Sequence, residues 1–435
     1  MKKIVEKTLF TPFTEFINRS TSGGLVLFIS AFAAIIWANS PYKESYHHLW
    51  ETTFTIGFEG AQLAKSLHHW INDGLMAVFF FVIGLELKRE IMAGELANPK
   101  EAILPLMAGL GGMILPACIY LLINQGVPEA SNGWGIPMAT DIAFALGIVY
   151  LLGDKVPFSL KVFLTALAIA DDIGAVLVIA FFYSSDISLV HLGVGLGFLG
   201  VLAFGNYVGV RTSLFYGIVG ILGVWIAFVT SGVHATIAGI LSALLIPANV
   251  VVSETRLVQK LNVLGDKLEK TPANESSLLT EDQVHIIGEI RKYTKMAMTP
   301  LQRLEHGMHP FVAFVVMPIF AFANAGITLD SSALDGLFSP VTMGVFLGLL
   351  AGKTIGICGI CYATIQLGWA TLPTNTTWKQ LIGVSFLAAV GFTMSLFVTD
   401  LAFENPAYLA QAKIGILAAS LIGGLLGYFI LKKAD

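Results

Sequence analysis

Phe163-Leu164-Thr165-Ala166-Leu167-Ala168-Ile169-Ala170-Asp171-Asp172-Ile173-Gly174-Ala175-Val176-Leu177-Val178-Ile179-Ala180 is an apolar run with two adjacent carboxylates at its centre. The run is long enough to cross a bilayer as a helix. Each carboxylate at that depth costs about 2.5–3.5 kcal/mol on insertion scales. Neighbouring acids also repel, so one of Asp171 and Asp172 is expected to hold a proton or bind a cation at neutral pH. A chain that tolerates such a pair uses it to handle protons, metal cations or both.

The rest of the composition agrees with a membrane setting. Of 435 residues, 55% are hydrophobic and only 12% charged, with a mean hydropathy of +0.77. Soluble domains carry about 25% charged residues, so this is an integral membrane protein. The net charge of −4 says little, because placement matters more than the sum. Residues Met1 to Asn18 are polar and mildly basic, and the first apolar run, Gly23 to Trp37, has no small-residue cleavage site; it reads as a first span. Basic residues form no stripe interleaved with aromatics, which excludes nucleic acid as a partner. Cys358-Gly-Ile-Cys361 has redox spacing, but it lies in an apolar run without a strand-helix context, so these cysteines, like Cys118, read as packing residues.

Twelve apolar runs can be marked, at about 23–38, 72–92, 103–124, 134–153, 158–183, 189–205, 211–229, 232–247, 309–327, 338–364, 379–399 and 408–431. The expected fold is an all-α membrane protein of twelve transmembrane helices, one domain over 1–435. Bases decide its orientation. Lys2, Lys3, Lys7 and Arg19 precede the first run, Lys432 and Lys433 follow the last, and the even loops carry Lys88, Arg89, Lys100, Lys155 and eight more bases between Arg256 and Arg303. The odd loops hold little beyond Lys43 and Lys65. Both termini are therefore expected in the cytoplasm. The segment 39–71 is an external loop whose stretch Thr52 to Leu63 reads either as a hairpin, able to make dimer contacts by strand pairing, or as a plain loop. The segment 250–303 is a cytoplasmic loop. Leu257, Leu261, Leu264 and Leu268 have helical spacing, Thr271 to Ser277 reads as flexible, and Glu281 to Lys295 as a second amphipathic helix, together a regulatory or membrane-surface element.

Two runs are interrupted. Gly133-Trp134-Gly135-Ile136-Pro137-Met138-Ala139-Thr140-Asp141 puts Pro, Gly, Thr and Asp into a short apolar segment, which is either a kinked helix with a capped end or a helix broken at membrane depth. Gly383 and Ala388-Ala389-Val390-Gly391-Phe392-Thr393-Met394-Ser395 repeat the pattern late in the chain. Paired interruptions in two halves point to an inverted-repeat transporter, with runs three to five and ten to twelve as the repeats and two discontinuous helices crossing near the midplane. The remaining charge inside an apolar run is taken to be Lys353. Gly352-Lys353-Thr354 lacks the first glycine of a P-loop, since Leu347 stands there. Its available partners are Asp141, Asp171 and Asp172. Crossed half-helices would have their positive N-ends offset by Asp141 and their negative C-ends by Lys353. Glu86, Arg89 and Glu90 read as an ordinary charged helix end or, with Glu305, as a group that senses pH. His234 reads as a satisfied packing histidine or a titrating one.

Asp73-Gly-Leu-Met-Ala-Val-Phe-Phe80, Gly84-Leu-Glu-Leu-Lys-Arg-Glu90, Thr140-Asp-Ile-Ala-Phe-Ala-Leu-Gly147, Leu167-Ala-Ile-Ala-Asp-Asp-Ile-Gly174, Ser231-Gly-Val-His-Ala-Thr236 and Phe320-Ala-Phe-Ala-Asn-Ala-Gly326 follow one another in this order. Together they resemble the NhaA-type sodium/proton antiporters, from about Thr14 to Lys432. The resemblance implies exchange of cytoplasmic Na+ or Li+ for external H+, a multi-pass protein of the bacterial inner membrane, a homodimer in lipid and no cofactor. It implies that Asp171 and Asp172 bind the cation, Asp172 foremost, that Thr140 and Asp141 stand by the site with Asp141 balancing helix dipoles, and that Lys353 pairs with Asp171. It also implies that Glu86, Arg89, Glu90, Glu305 and His234 serve the pH response. The segment 250–303 is longer than expected for the family and adjoins Glu305. Two rivals need other features: a solute symporter needs more polar groups at the midplane, and an aspartyl protease needs two aspartates facing one another from different helices, whereas Asp171 and Asp172 are neighbours about 100° apart on one.

Overall fold

The computed structural model describes residues 22–58, 61–184, 187–271, 278–328 and 336–434. Lys2, Lys3, Lys7, Arg19 and most of the segment read as flexible, 271–277, lie outside them. Apolar runs in lipid can satisfy their backbone only internally, so they form helices. The chain opens with α1 (Ser22–Ala38), which turns by 114° into α2 (Lys43–Glu51). A two-stranded antiparallel hairpin follows, β1 (Thr53–Phe58) and β2 (Ala61–Ser66), in register from Thr53↔Ser66 to Phe58↔Ala61. Trp70 pins it to the next helix, its indole N–H donating to the Phe54 carbonyl at 2.9 Å.

Long helices then succeed one another: α3 (Leu67–Ala93), α4 (Pro99–Ile123), α5 (Pro128–Leu151), α6 (Phe158–Phe182), α7 (Leu189–Val208) and α8 (Ser213–Ser231). After the short α9 (Ala235–Leu244), the polar segment folds as α10 (Glu254–Lys270) and α11 (Glu281–Ala297). The chain re-enters the apolar body through α12 (Pro300–Asn324), α13 (Pro340–Gln366), the pair α14 (Trp378–Ala388) and α15 (Phe392–Ala402), and α16 (Pro406–Lys432). Four of these begin with the same local signal, a capping side chain followed by proline: Asn98-Pro99, Thr299-Pro300, Ser339-Pro340 and Asn405-Pro406. The cap accepts an otherwise orphaned backbone N–H, and proline has none to lose at the first position.

Twelve apolar runs lead to an expectation of twelve spans. Among the described residues nine helices are long and apolar enough to cross a membrane, and up to eleven if each bent pair counts as one. The run at 232–247 yields only the ten residues of α9, about 15 Å of helix against a hydrocarbon core of about 30 Å. Gly232 in the left-handed region and two non-helical residues precede this helix, and residues 245–247 follow it outside the helix.

Both repeats have one plan: a long helix (α4, α13), a broken one (α5, α14–α15), and a second long helix (α6, α16). They meet through glycine. Gly111 of α4 and Gly356 of α13 face each other so closely that a methyl group on either would meet the other's carbonyl. Small residues permit such approaches where no hydrophobic driving force acts between helices. Gly356→Ala is therefore expected to cost about 1–3 kcal/mol through overpacking, read as a lower thermal midpoint of the detergent-solubilised protein. Gly359→Ala, where an added methyl meets nothing within 4 Å, should leave that midpoint unchanged or raise it.

Candidate functional site

The two interrupted runs cross. Helix α5 breaks at Ala139–Asp141 and the α14–α15 pair at Ala389–Gly391, with a 42° bend in the latter. The two breaks bond at the crossing, Asp141 N–H donating to the Val390 carbonyl at 2.7 Å. Four half-helix ends thereby converge, two positive and two negative, each with orphaned backbone groups.

Asp141 serves the positive ends. Its Oδ1 accepts from the Phe144 N–H at 3.0 Å, capping the second half of α5. Its Oδ2 accepts from the Thr393 N–H at 3.2 Å and the Thr393 hydroxyl at 2.5 Å, capping α15. One carboxylate thus holds two helix N-termini. Lys353 closes a π-helical turn, Gly348–Lys353, within α13, an irregularity found often at functional sites. Its Nζ donates to Thr140 Oγ1 at 2.6 Å and is ion-paired with Asp171 Oδ2. Thr140 Oγ1 stands 2.6 Å from Asp171 Oδ2 and 2.9 Å from the carbonyl of Ala388, the last residue of α14.

Asp172 sits one residue along α6, fully buried like Asp171 and Lys353. Among the described residues neither of its carboxylate oxygens has a hydrogen-bond partner, and Asp171 Oδ1 has none either. Three hard oxygens in one buried place are therefore uncommitted. The charged groups that Asp172 feels are Asp171, Lys353, Glu86 and Asp141. Oxygen donors without sulfur suit protons and small hard cations.

The structure brings together most of the second group of candidates. Arg89 donates to Glu90 Oε1 at 2.7 Å from Nη2 and is ion-paired with Glu305 of α12 through Nη1. Glu86 is within electrostatic reach of Glu305, Arg89 and Glu90. His234 stands apart. It is the residue before α9, its Nε2 lies 2.5 Å from the Tyr183 carbonyl oxygen, and the Arg89 end of α3 meets the opposite end of α9, where Lys88 Nζ donates to the carbonyls of Leu244 and Ile246 at 2.7 and 2.6 Å.

Several participants escape sequence reading. Thr393 and Ala388 matter only because of the crossing, which no local pattern reports. Lys88 was legible as a cation near a helix end but its partner is remote in sequence. The expectation that Lys353 is the remaining charge in an apolar run is corrected: Lys413 of α16 lies in the run 408–431, and 3.9 Å from it is Asp400, the residue that follows the run 379–399 and continues α15, with side chains only 14% and 10% exposed. Their position near run ends hid them. Cys358 donates to Ser385 Oγ at 3.3 Å and, like Cys118 and Cys361, is a free thiol.

The geometry also weighs the rivals. Asp141 has both oxygens occupied by caps, so it cannot face Asp171 or Asp172 across a scissile bond as a protease dyad requires. Comparison with known proteins agrees. A family model described as Na+/H+ antiporter 1 matches residues 14–431. The chain is 48% identical over 429 residues to the Na(+)/H(+) antiporter NhaA of Oleidesulfovibrio alaskensis, covering 98% of this chain and 94% of that one. It is 46% identical over 425 residues to Na(+)/H(+) antiporter NhaA 2 of Syntrophotalea carbinolica, covering 98% and 97%. Among solved structures, the sodium proton antiporter MjNhaP1 of Methanocaldococcus jannaschii shares the fold, with a TM-score of 0.50 at 12% identity over 95% of this chain and 92% of that one. The chain belongs to the Na+/H+ antiporter 1 family, the NhaA antiporters, and is a multi-pass transporter rather than an enzyme.

Proposed function

We propose that this antiporter exchanges cytoplasmic Na+ or Li+ for external protons by competition at Asp171 and Asp172. The observation that carries the reading is Asp172 itself, a fully buried carboxylate with both oxygens unpartnered. Burying an uncompensated charge is prohibitive, so the group carries either a proton or a cation. A cation entering displaces protons from the pair, or from the Asp171–Lys353 contact. The loaded repeat rocks, the cation leaves outside, and protons return the site. The basic loops orient the Glu86 end toward the cytoplasm. There Glu86, Arg89, Glu90 and Glu305 form the pH-responsive group, joined through α12 to the segment 250–303. The hairpin of β1 and β2 offers strand edges for a homodimer in the inner membrane.

Purified protein in liposomes carrying an imposed pH gradient tests this. NaCl and LiCl should collapse the gradient and KCl should not. Where one proton competes, the Na+ concentration for half-maximal rate should rise about tenfold per unit fall in pH. Equal collapse by KCl, or a half-saturation independent of pH, would sink the competition reading.

A further inference from the structure

Two layers, carried on the same three helices, close the site off from the hairpin end of the molecule. The inner layer is aromatic. Phe80 of α3, Phe320 of α12 and Phe397 of α15 are buried, with ring centroids 5.7 Å apart for Phe80–Phe397 and 6.2 Å for Phe320–Phe397. The outer layer is polar. Asn72 Nδ2 donates to Asp400 Oδ2 at 2.8 Å, and Asn324 Nδ2 donates to Asn72 Oδ1 at 2.9 Å. His68 Nε2 lies 2.9 Å from Asn324 Oδ1 and 3.7 Å from Asp400 Oδ2.

Chain order fixes the layering. From the hairpin end inward, α3 presents Asn72, Phe80 and then Glu86. Helix α12 presents Asn324, Phe320 and then Glu305, and α15 presents Asp400, Phe397 and then Thr393, which touches Asp141. Each helix therefore contributes at least one polar group outside, α3 both His68 and Asn72, and one phenyl ring inside. A path from the ion site to the hairpin side has to part the rings and then meets Asp400.

We propose that this polar layer is the outer port of the exchanger, with Asp400 the carboxylate that first receives an external proton and last releases the cation. The proposal rests on the exchange and orientation argued above. The buried amides of Asn72 and Asn324 hold Asp400 in place with their hydrogen bonds made, so the port needs no reorganisation to stay closed. Two facts separate it from a structural ion pair. Lys413 stands 3.9 Å from Asp400 Oδ1, beyond hydrogen-bond reach. Beside Asp400, 3.7 Å away, is the more exposed imidazole of His68, 36% against 10%, a side chain suited to passing protons. The other titratable and charged groups around it are Lys413 on α16, Tyr46 on α2 within electrostatic reach of Asp400, and His69, which is 2.8 Å from Lys65 and 3.1 Å from Asp73.

The test is side-specific. In right-side-out vesicles loaded with 22Na+, efflux is followed as the external pH is varied; in everted vesicles the cytoplasmic Na+ half-saturation is measured. Asp400→Asn keeps an oxygen for Asn72 to donate to, so the fold should survive. It should require about tenfold more external protons for half-maximal efflux, the worth of one charge-assisted contact, with the cytoplasmic half-saturation unchanged. Asp400→Glu should restore the external dependence. An external dependence equal to the parent's, or equal shifts on both faces, overturns the outer port while leaving the exchange at Asp171 and Asp172 standing. A parent chain that shows no Na+-dependent proton movement overturns both.

Discussion

Asp172→Asn is expected to abolish Na+-driven proton exchange, with a loss of at least about 100-fold in liposomes, because the amide can neither give up a proton nor neutralise a cation. The same substitution should not destabilise the protein. Among the described residues Asp172 has no hydrogen-bond partner for either oxygen, so the amide removes no native contact seen there, and it relieves a buried group that has Asp171 beside it as a like charge. The thermal midpoint of the purified variant should therefore equal or exceed that of the parent. This pairing of lost activity with undiminished stability separates a transport role from a structural one. A variant that is inactive and unfolds early would assign Asp172 to the fold. A variant that still exchanges Na+ for protons would remove it from the site.

The contrast between Asp172 and its neighbours shows what the sequence could and could not convey. Asp171, Asp172, Asp141 and Lys353 were visible because a charge in an apolar run is expensive, and expense is legible without a structure. The broken runs were visible because Gly, Pro and Thr interrupt the hydropathy at matching places in the two halves. Distance along the chain hid the rest. Thr393 is 252 residues from the Asp141 it bonds, and Asn72 is 328 from Asp400. No periodicity or motif connects such pairs; only the crossing of α5 with the α14–α15 pair and the meeting of α3, α12 and α15 do. The short α9 escaped for a different reason. Residues 232–247 are apolar throughout enough of their length to resemble a span, but Gly232 takes a left-handed conformation that ends one helix before the next begins, and hydropathy carries no information on backbone conformation.

Lys353→Ala is expected to be the costliest substitution for stability. The ammonium is fully buried and contacts Asp171 Oδ2 and Thr140 Oγ1. Removing one partner of a buried pair costs about 3–5 kcal/mol, because the carboxylate left behind has no compensating charge. The loss should be greatest at alkaline pH and smaller at acid pH, where a proton can neutralise Asp171. The double variant Asp171→Asn with Lys353→Gln removes both charges and keeps hydrogen-bonding groups at both positions. It should recover all but about 1 kcal/mol, since a neutral pair of similar shape can replace an ion pair at little cost. Thermal midpoints of the parent, the Asp171→Asn and Lys353→Gln singles and this double close the cycle. A strongly negative coupling identifies the ion pair as the brace that holds α13 to the crossing; singles whose effects simply add would mean that Lys353 acts on the half-helix dipoles independently of Asp171.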